Sequence, residues 1–208
     1  MRITRYGHSC LLVEQDDARI LLDPGVFSAG FEHLEGLTAV LVTHQHPDHL
    51  DVDRLRPLLQ ANPDARLHLD EGSAGQHADL DAVVVRDGDV LDLGVPVTVH
   101  GSAHAVIHED IPRIPNVGYL VADRFFTPGD ALTVPDADVE VLGLPTAAPW
   151  LKLSEAVGLL RAVAPRLAFP VHDAVLSQPQ IWYGQFDALK PAGTVFEPLA
   201  PDGVRDLA

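Results

Sequence analysis

Cysteine is almost absent: Cys10 stands alone in 208 residues. No intrachain disulfide can form, and nothing argues for an oxidising compartment. Lysine is nearly as scarce, with only Lys152 and Lys190. The 14 Lys and Arg face 30 Asp and Glu, for a formal net charge of -16. So acidic a surface repels phosphate backbones and anionic headgroups, so neither nucleic acid nor a membrane surface is expected as a partner. No apolar run reaches the roughly 18 residues of a membrane-spanning helix, and Met1–His8 has charge without the apolar core of a signal peptide. The expectation is a soluble, cytoplasmic protein acting on a small molecule. With 47% apolar and 21% charged residues, neither disorder nor a coiled coil fits, and the chain is long enough to bury one core. A single domain over residues 1–208 is expected. No apolar stripe is left over from that core, so a homo-oligomer is not indicated.

Histidine is what the chain has in excess: 11 residues, against one Met and one Cys. It is the commonest metal ligand and a frequent general base, so its placement comes first. Short β-type runs are expected at Arg2–Tyr6, Cys10–Glu14 and Ala18–Leu22, with a hairpin tip at Gln15–Asp17. Leu37–Thr43 reads as a strand buried on both faces. A helix at Val52–Ala61, a strand at Ala65–Leu69 and a short helix at Glu71–Ala78 follow. Further strands are expected at Val83–Arg86, Val90–Leu93, Pro96–Ser102, Val117–Ala122, Arg124–Thr127, Val139–Leu144, Leu167–Val171 and Thr194–Leu199. Helices are expected at Ser154–Ala164, capped by Ser154, and at Gln178–Leu189. Strand-rich halves each followed by helices imply an α/β fold in four layers, an αββα sandwich.

The chemistry is concentrated directly after the apolar strand, in Thr43-His44-Gln45-His46-Pro47-Asp48-His49. Alternating positions at a strand end can send His44 and His46 toward one ion. The turn imposed by Pro47 then lets Asp48 and His49 reach a second position nearby, and zinc and its neighbours bind imidazole and carboxylate in this way. A metal site needs further ligands from other strand ends.

On these residues the chain resembles the metallo-β-lactamase-fold superfamily, and within it the small metal-dependent hydrolase branch that includes ascorbate-6-phosphate lactonase-like proteins. Tyr6-Gly7-His8-Ser9-Cys10 with Ile20–Gly25 is similar to that family's first segment. Its later ligands match His104, Asp130 in Pro128-Gly129-Asp130, and His172 in Phe169–Asp173. The resemblance implies that His44, His46 and His104 hold one metal, that Asp48, His49 and His172 hold a second, and that Asp130 bridges them. The spacing of His100, His104 and His108 by four leaves the third ligand open; His104 is preferred because it ends its strand. The implied cofactors are two divalent ions, zinc first, with manganese or iron as alternatives. A bridging hydroxide would attack an ester, lactone or phosphoester, with Asp48 orienting it. The rivals are a di-iron redox protein of the same fold and a metal-loaded protein without turnover.

Around the ligands, the resemblance makes Asp23 a supporting group, with a turn cap as the plainer alternative. His8 either faces the site or closes a strand-end hydrogen bond. Trp150 and Lys152 either line the pocket or, for the Trp, pack the following helix on the sheet. Phe27 and Phe31 are candidates for a pocket wall or lid. Trp182 and Tyr183 are expected in the core, Cys10 as a buried inert thiol, and His33, His68 and His77 away from the chemistry. Arg113 and Lys152 are the only cations near the site, which favours an ester or lactone over a phosphodiester.

Overall fold

A computed structural model describes residues 1–207. Strands β1 (Arg2–Gly7), β2 (Cys10–Gln15) and β3 (Ala18–Leu22) form an antiparallel meander. β4 (Ala39–Leu41), β5 (Arg66–Leu69) and β6 (Ala82–Val84) join it in parallel, with α1 (Val52–Ala61) and α2 (Glu71–Gln76) in the crossovers. The second sheet starts with the antiparallel strands β7 (Val90–Asp92), β8 (Pro96–His100), β9 (Gly118–Val121) and β10 (Phe125–Thr127). β11 (Val141–Pro145), β12 (Leu167–Val171) and β13 (Val195–Phe196) extend it in parallel, linked by α3 (Leu153–Val163) and α4 (Pro179–Leu189). β14 (Val204–Asp206) returns to the first sheet beside β1. Among the described residues each sheet has seven strands, ordered β14-β1-β2-β3-β4-β5-β6 and β13-β12-β11-β10-β9-β8-β7.

Side-chain alternation assigns each strand face to a layer. Along β3, Ile20 and Leu22 join Val97, Tyr119 and Phe169 in the core between the sheets. Leu21, one step out of phase, packs with Leu55 and Leu58 of α1. On the far side Leu142 and Leu144 meet Leu159 and Leu160 of α3 and Phe186 of α4. The layers are therefore α, β, β and α, the expected sandwich. No helix among the described residues is long and apolar enough to cross a membrane.

Three expectations are corrected. The strand expected over Leu37–Thr43 pairs only at Ala39–Leu41, because side chains take the N–H groups beyond its ends: Leu37 N–H goes to Asn62 Oδ1 at 3.0 Å and Thr43 N–H to Asp23 Oδ1 at 2.8 Å. α3 starts at Leu153, so Ser154 lies inside it; Lys152 precedes it and donates its backbone N–H to Glu155 Oε2 at 2.8 Å. The strand expected over Thr194–Leu199 shrinks to Val195–Phe196, and Val204–Asp206 forms an edge strand whose apolar alternation is too short to be foreseen.

Candidate metal centre

The ligand candidates all sit just past the C-terminal ends of strands, along one edge of both sheets. His8 follows β1, Asp23 follows β3 and the segment His44–His49 follows β4. From the second sheet come His104 after β8, Asp130 after β10 and His172 after β12. The sheets are tied together beneath them: Val117 N–H donates to Thr43 O and Tyr119 O–H to Val42 O, each at 2.9 Å. Three of these turn residues adopt left-handed backbone conformations, His8 at φ 45, Asp23 at φ 46 and His172 at φ 58. Such strain in residues other than glycine costs of order 1–3 kcal/mol each and concentrates at functional sites.

Two groups of four donors result: His44, His46, His104 and Asp130, and His8, Asp48, His49 and His172. Within each group the donor atoms all lie within 4.8 Å of one another. Asp130 touches both. Its Oδ1 is 3.2 Å from His49 Nε2, while its Oδ2 is 3.4 Å from His104 Nε2 and 3.1 Å from His172 Nε2. Asp48 Oδ2 lies between His8 Nε2 at 3.1 Å and His172 Nε2 at 3.3 Å. His44 Nε2 and His46 Nδ1 converge to 3.0 Å.

The far ring nitrogens fix the tautomers. Nδ1 of His104 donates to Ala105 O and Nδ1 of His172 to Ala147 O, both at 2.6 Å, and Nδ1 of His49 is 2.8 Å from Asp23 Oδ2. A carbonyl only accepts, so Nδ1 carries the proton and Nε2 is left to face the centre. There, Nε2 of His49, His104 and His172 and Oδ1 of Asp130 are buried with no hydrogen-bond partner. Buried polar atoms are rarely left without a hydrogen bond, and imidazoles from both donor groups turned toward one buried carboxylate fit bound cations. The donor set of imidazoles and carboxylates suits zinc, manganese or iron.

A model of the beta-lactamase superfamily domain matches residues 2–172, from β1 through His172. The chain belongs to the beta-lactamase superfamily. Protein Rv0786c of Mycobacterium tuberculosis is 50% identical over 193 residues, covering 89% of this chain and 91% of that protein. A UPF0173 metal-dependent hydrolase of Mesorhizobium japonicum is 45% identical over 56 residues, 24% of each chain. The solved structure of Igni18, a metallo hydrolase from the archaeon Ignicoccus hospitalis, aligns with a TM-score of 0.75 at 15% identity, over 100% of this chain and 99% of that one. At that identity the likeness is one of fold.

On this superfamily frame the remaining candidates divide. His8 belongs to the second donor group, and Asp23 orients His49 as well as closing the Thr43 turn. Trp150 is buried on the side of the centre, where it lines a cavity: its indole N–H donates to Asp130 Oδ2 at 2.9 Å while the ring lies against His104. His100 instead bonds Thr98 Oγ1 at 2.9 Å and His108 is exposed, accepting from Asp110 N–H, so neither competes with His104. Lys152 is exposed beside α3 and does not line the cavities around the centre. Phe31 is no lid: it is buried in the core, with the Arg54 guanidinium 4.7 Å above its ring. Phe27 is exposed against the His8 ring. Cys10 is buried, and burial pushes its thiol well up in pKa, as expected of an inert residue.

Three supporting residues escaped the sequence reading. Asn116 holds the Asp130 turn, accepting from Asp130 N–H and donating to Pro128 O, each at 2.9 Å. Arg5 and Asp173 form a buried ion pair that Tyr183 O–H also joins. Arg5 shares the inward parity of Ile3 and Gly7 along β1, the one sign of its burial that the pattern offered.

Electrostatics set a proton cost for loading this centre. Burial opposes charge on His49, yet Asp130 and Asp23 hold its imidazolium well above the ordinary range. His172 is likewise raised to about 9, against its burial, by Asp130 and Asp48. Burial and the neighbouring rings depress His44 and His46. The raised groups keep their protons until the pH climbs past their folded-state values, and a metal must expel them. At pH 7.5 metal uptake is expected to release about two protons per chain, and affinity to fall about 100-fold from pH 8 to pH 7. Calorimetry in buffers of different ionisation enthalpy measures both; release near zero would contradict the charge state assigned to His49 and His172.

Proposed function

We propose that the chain is a hydrolase working with two divalent metal ions, zinc foremost, on an ester or lactone of a small cytoplasmic metabolite, with phosphoesters next in order. What carries this reading is the pair of donor groups joined through Asp130, which faces Nε2 of His49, His104 and His172. His44, His46 and His104 would hold one ion, Asp48, His49 and His172 the other with His8 beside them, and Asp130 both. Two such ions supply Lewis acidity toward a carbonyl or phosphoryl oxygen and acidify a water molecule.

The chain's own residues do the rest. Asp48 is 21% exposed where Asp130 is 4%, so Asp48 is the carboxylate of the centre that meets solvent and can orient an attacking water. The hydroxyl of that water joins the acyl carbon, the bond to the leaving oxygen breaks, and the water's proton passes to the leaving oxygen with Asp48 as the carrier. Trp150 and Asn116 keep the Asp130 carboxylate and its turn in place, so the site needs little rearrangement as charge develops.

Elemental analysis of protein purified without chelator or nickel resin tests this first. Close to two zinc ions per chain, with turnover on an ester or lactone panel, is expected. Two iron ions with visible absorption would favour redox chemistry instead. Full metal content with no turnover on esters, lactones or phosphodiesters would overturn the hydrolase reading.

A further inference from the structure

A groove of about 720 Å³ opens beside His8, on the flank of the second donor group. Its walls are largely apolar, with Phe27, Leu176, Pro179, Tyr183, Pro198 and Pro201 among them. His8 belongs to both the wall and the donor group, and the Phe27 ring meets it edge-on at 5.3 Å. The groove therefore runs up to the second donor group at His8, whose Nε2 faces Asp48 Oδ2 at 3.1 Å. The cation in its wall, Arg5, is neutralised by Asp173 and gives a second N–H to Leu199 O at 2.7 Å. An anionic group finds no free positive charge there.

A second cavity differs. A cavity of about 410 Å³ beside Trp150 is lined by Arg113, Thr133 and Glu155, and Arg113 also donates to the backbone carbonyl of His104. Two cavities of different character thus adjoin residues of the centre, an apolar groove at His8 and a more polar recess at Trp150. Pockets of this size and lining select ligands by matching apolar and polar parts to each side.

We infer that the groove beside His8 holds the apolar acyl chain of the substrate, so that the substrate class is an ester or lactone with a medium-length hydrocarbon acyl group and a polar alcohol portion. This rests on the hydrolase reading for the chemistry, though not for the binding. A chain lying against Leu176 and Phe27 brings its carbonyl end to His8 and Asp48, and the leaving alcohol faces the Trp150–Arg113 side.

The test uses zinc-loaded protein and two carboxylates, acetate and octanoate, which offer the centre the same headgroup. Octanoate is expected to bind about 100-fold more tightly by calorimetry, equivalent to about 2.8 kcal/mol. That is about half of what full burial of its six additional methylenes would give. Leu176→Glu, in the loop before α4, should reduce the preference below about tenfold while zinc content and far-UV circular dichroism stay unchanged. Equal affinity for the two carboxylates, or a preference that survives Leu176→Glu, would overturn the groove assignment. In turnover, methyl octanoate should exceed octyl acetate; the reverse order would overturn the acyl placement. If no ester turns over but the octanoate preference holds, the hydrolase reading fails and the groove stands.

Discussion

Asp130→Asn is expected to empty the centre. Metal content should fall from about two ions per chain to below about one, and kcat/KM on whichever ester the wild type cleaves should fall by about 10³, a loss of roughly 4 kcal/mol in transition-state stabilisation. The reason is geometric. Asp130 is the group that meets both donor sets, one oxygen toward His49 and the other toward His104 and His172, while Trp150 and the Asn116-held turn fix its direction. An amide keeps the shape and could still accept from the indole, but it brings no negative charge to offset two dications. Metal content by mass spectrometry and steady-state kinetics read the two effects separately. Full metal retention with unchanged turnover would show that the donor groups act independently of Asp130.

Gly25→Ala should be nearly as damaging without touching a ligand. A methyl group built there would lie 1.8 Å from Asp48 O and 2.5 Å from His49 N, a clash with backbone that no rotamer relieves. The loop containing Gly25 is clamped against the ligand segment on both sides, by Val26 N–H to Pro47 O and by Asp51 N–H to Pro24 O, each at 2.9 Å. The added carbon must therefore push Asp48 and His49 out of position. A stability loss of about 3 kcal/mol is expected, read as a melting temperature lower by roughly 6–12 °C for a chain of this size, together with weaker metal binding. A variant that melts with the wild type and holds its metal would refute this account of the clamp.

The chemistry was the more legible part of the chain. His44, His46, Asp48 and His49 crowd into six positions after an apolar strand, and the spacing alone points to metal. The remaining ligand candidates became assignable through the family resemblance, because each follows a strand on the same edge, although His104 lies in the loop beyond β8, which ends at His100, and not at the strand end where it was expected. What the sequence concealed are relations across long separations. Nothing local to Asn116 says that it holds the Asp130 turn, nor does anything local to Asp173 say that Arg5 lies 168 positions away in the chain as its partner. His8 could not be placed from its neighbours because its direction depends on a left-handed backbone turn after Gly7. In the fold, Ser154 was a reasonable cap by residue type, but α3 begins before it. β14 was hidden because three residues at a sheet edge bury too little to leave a pattern.

The two donor groups also differ in how far along the chain they reach. The group of His44, His46, His104 and Asp130 is complete once residue 130 has been synthesised, whereas the group of His8, Asp48, His49 and His172 waits for residue 172. On a ribosome the segment of the first sheet, through β6, emerges carrying four of the donor imidazoles, His8, His44, His46 and His49, and no complete donor group, with its partners still to be translated. Any ion held by the group of His172 therefore has to await the carboxy-terminal part of the polypeptide. A chain truncated between His104 and His172 would have one complete donor group at most.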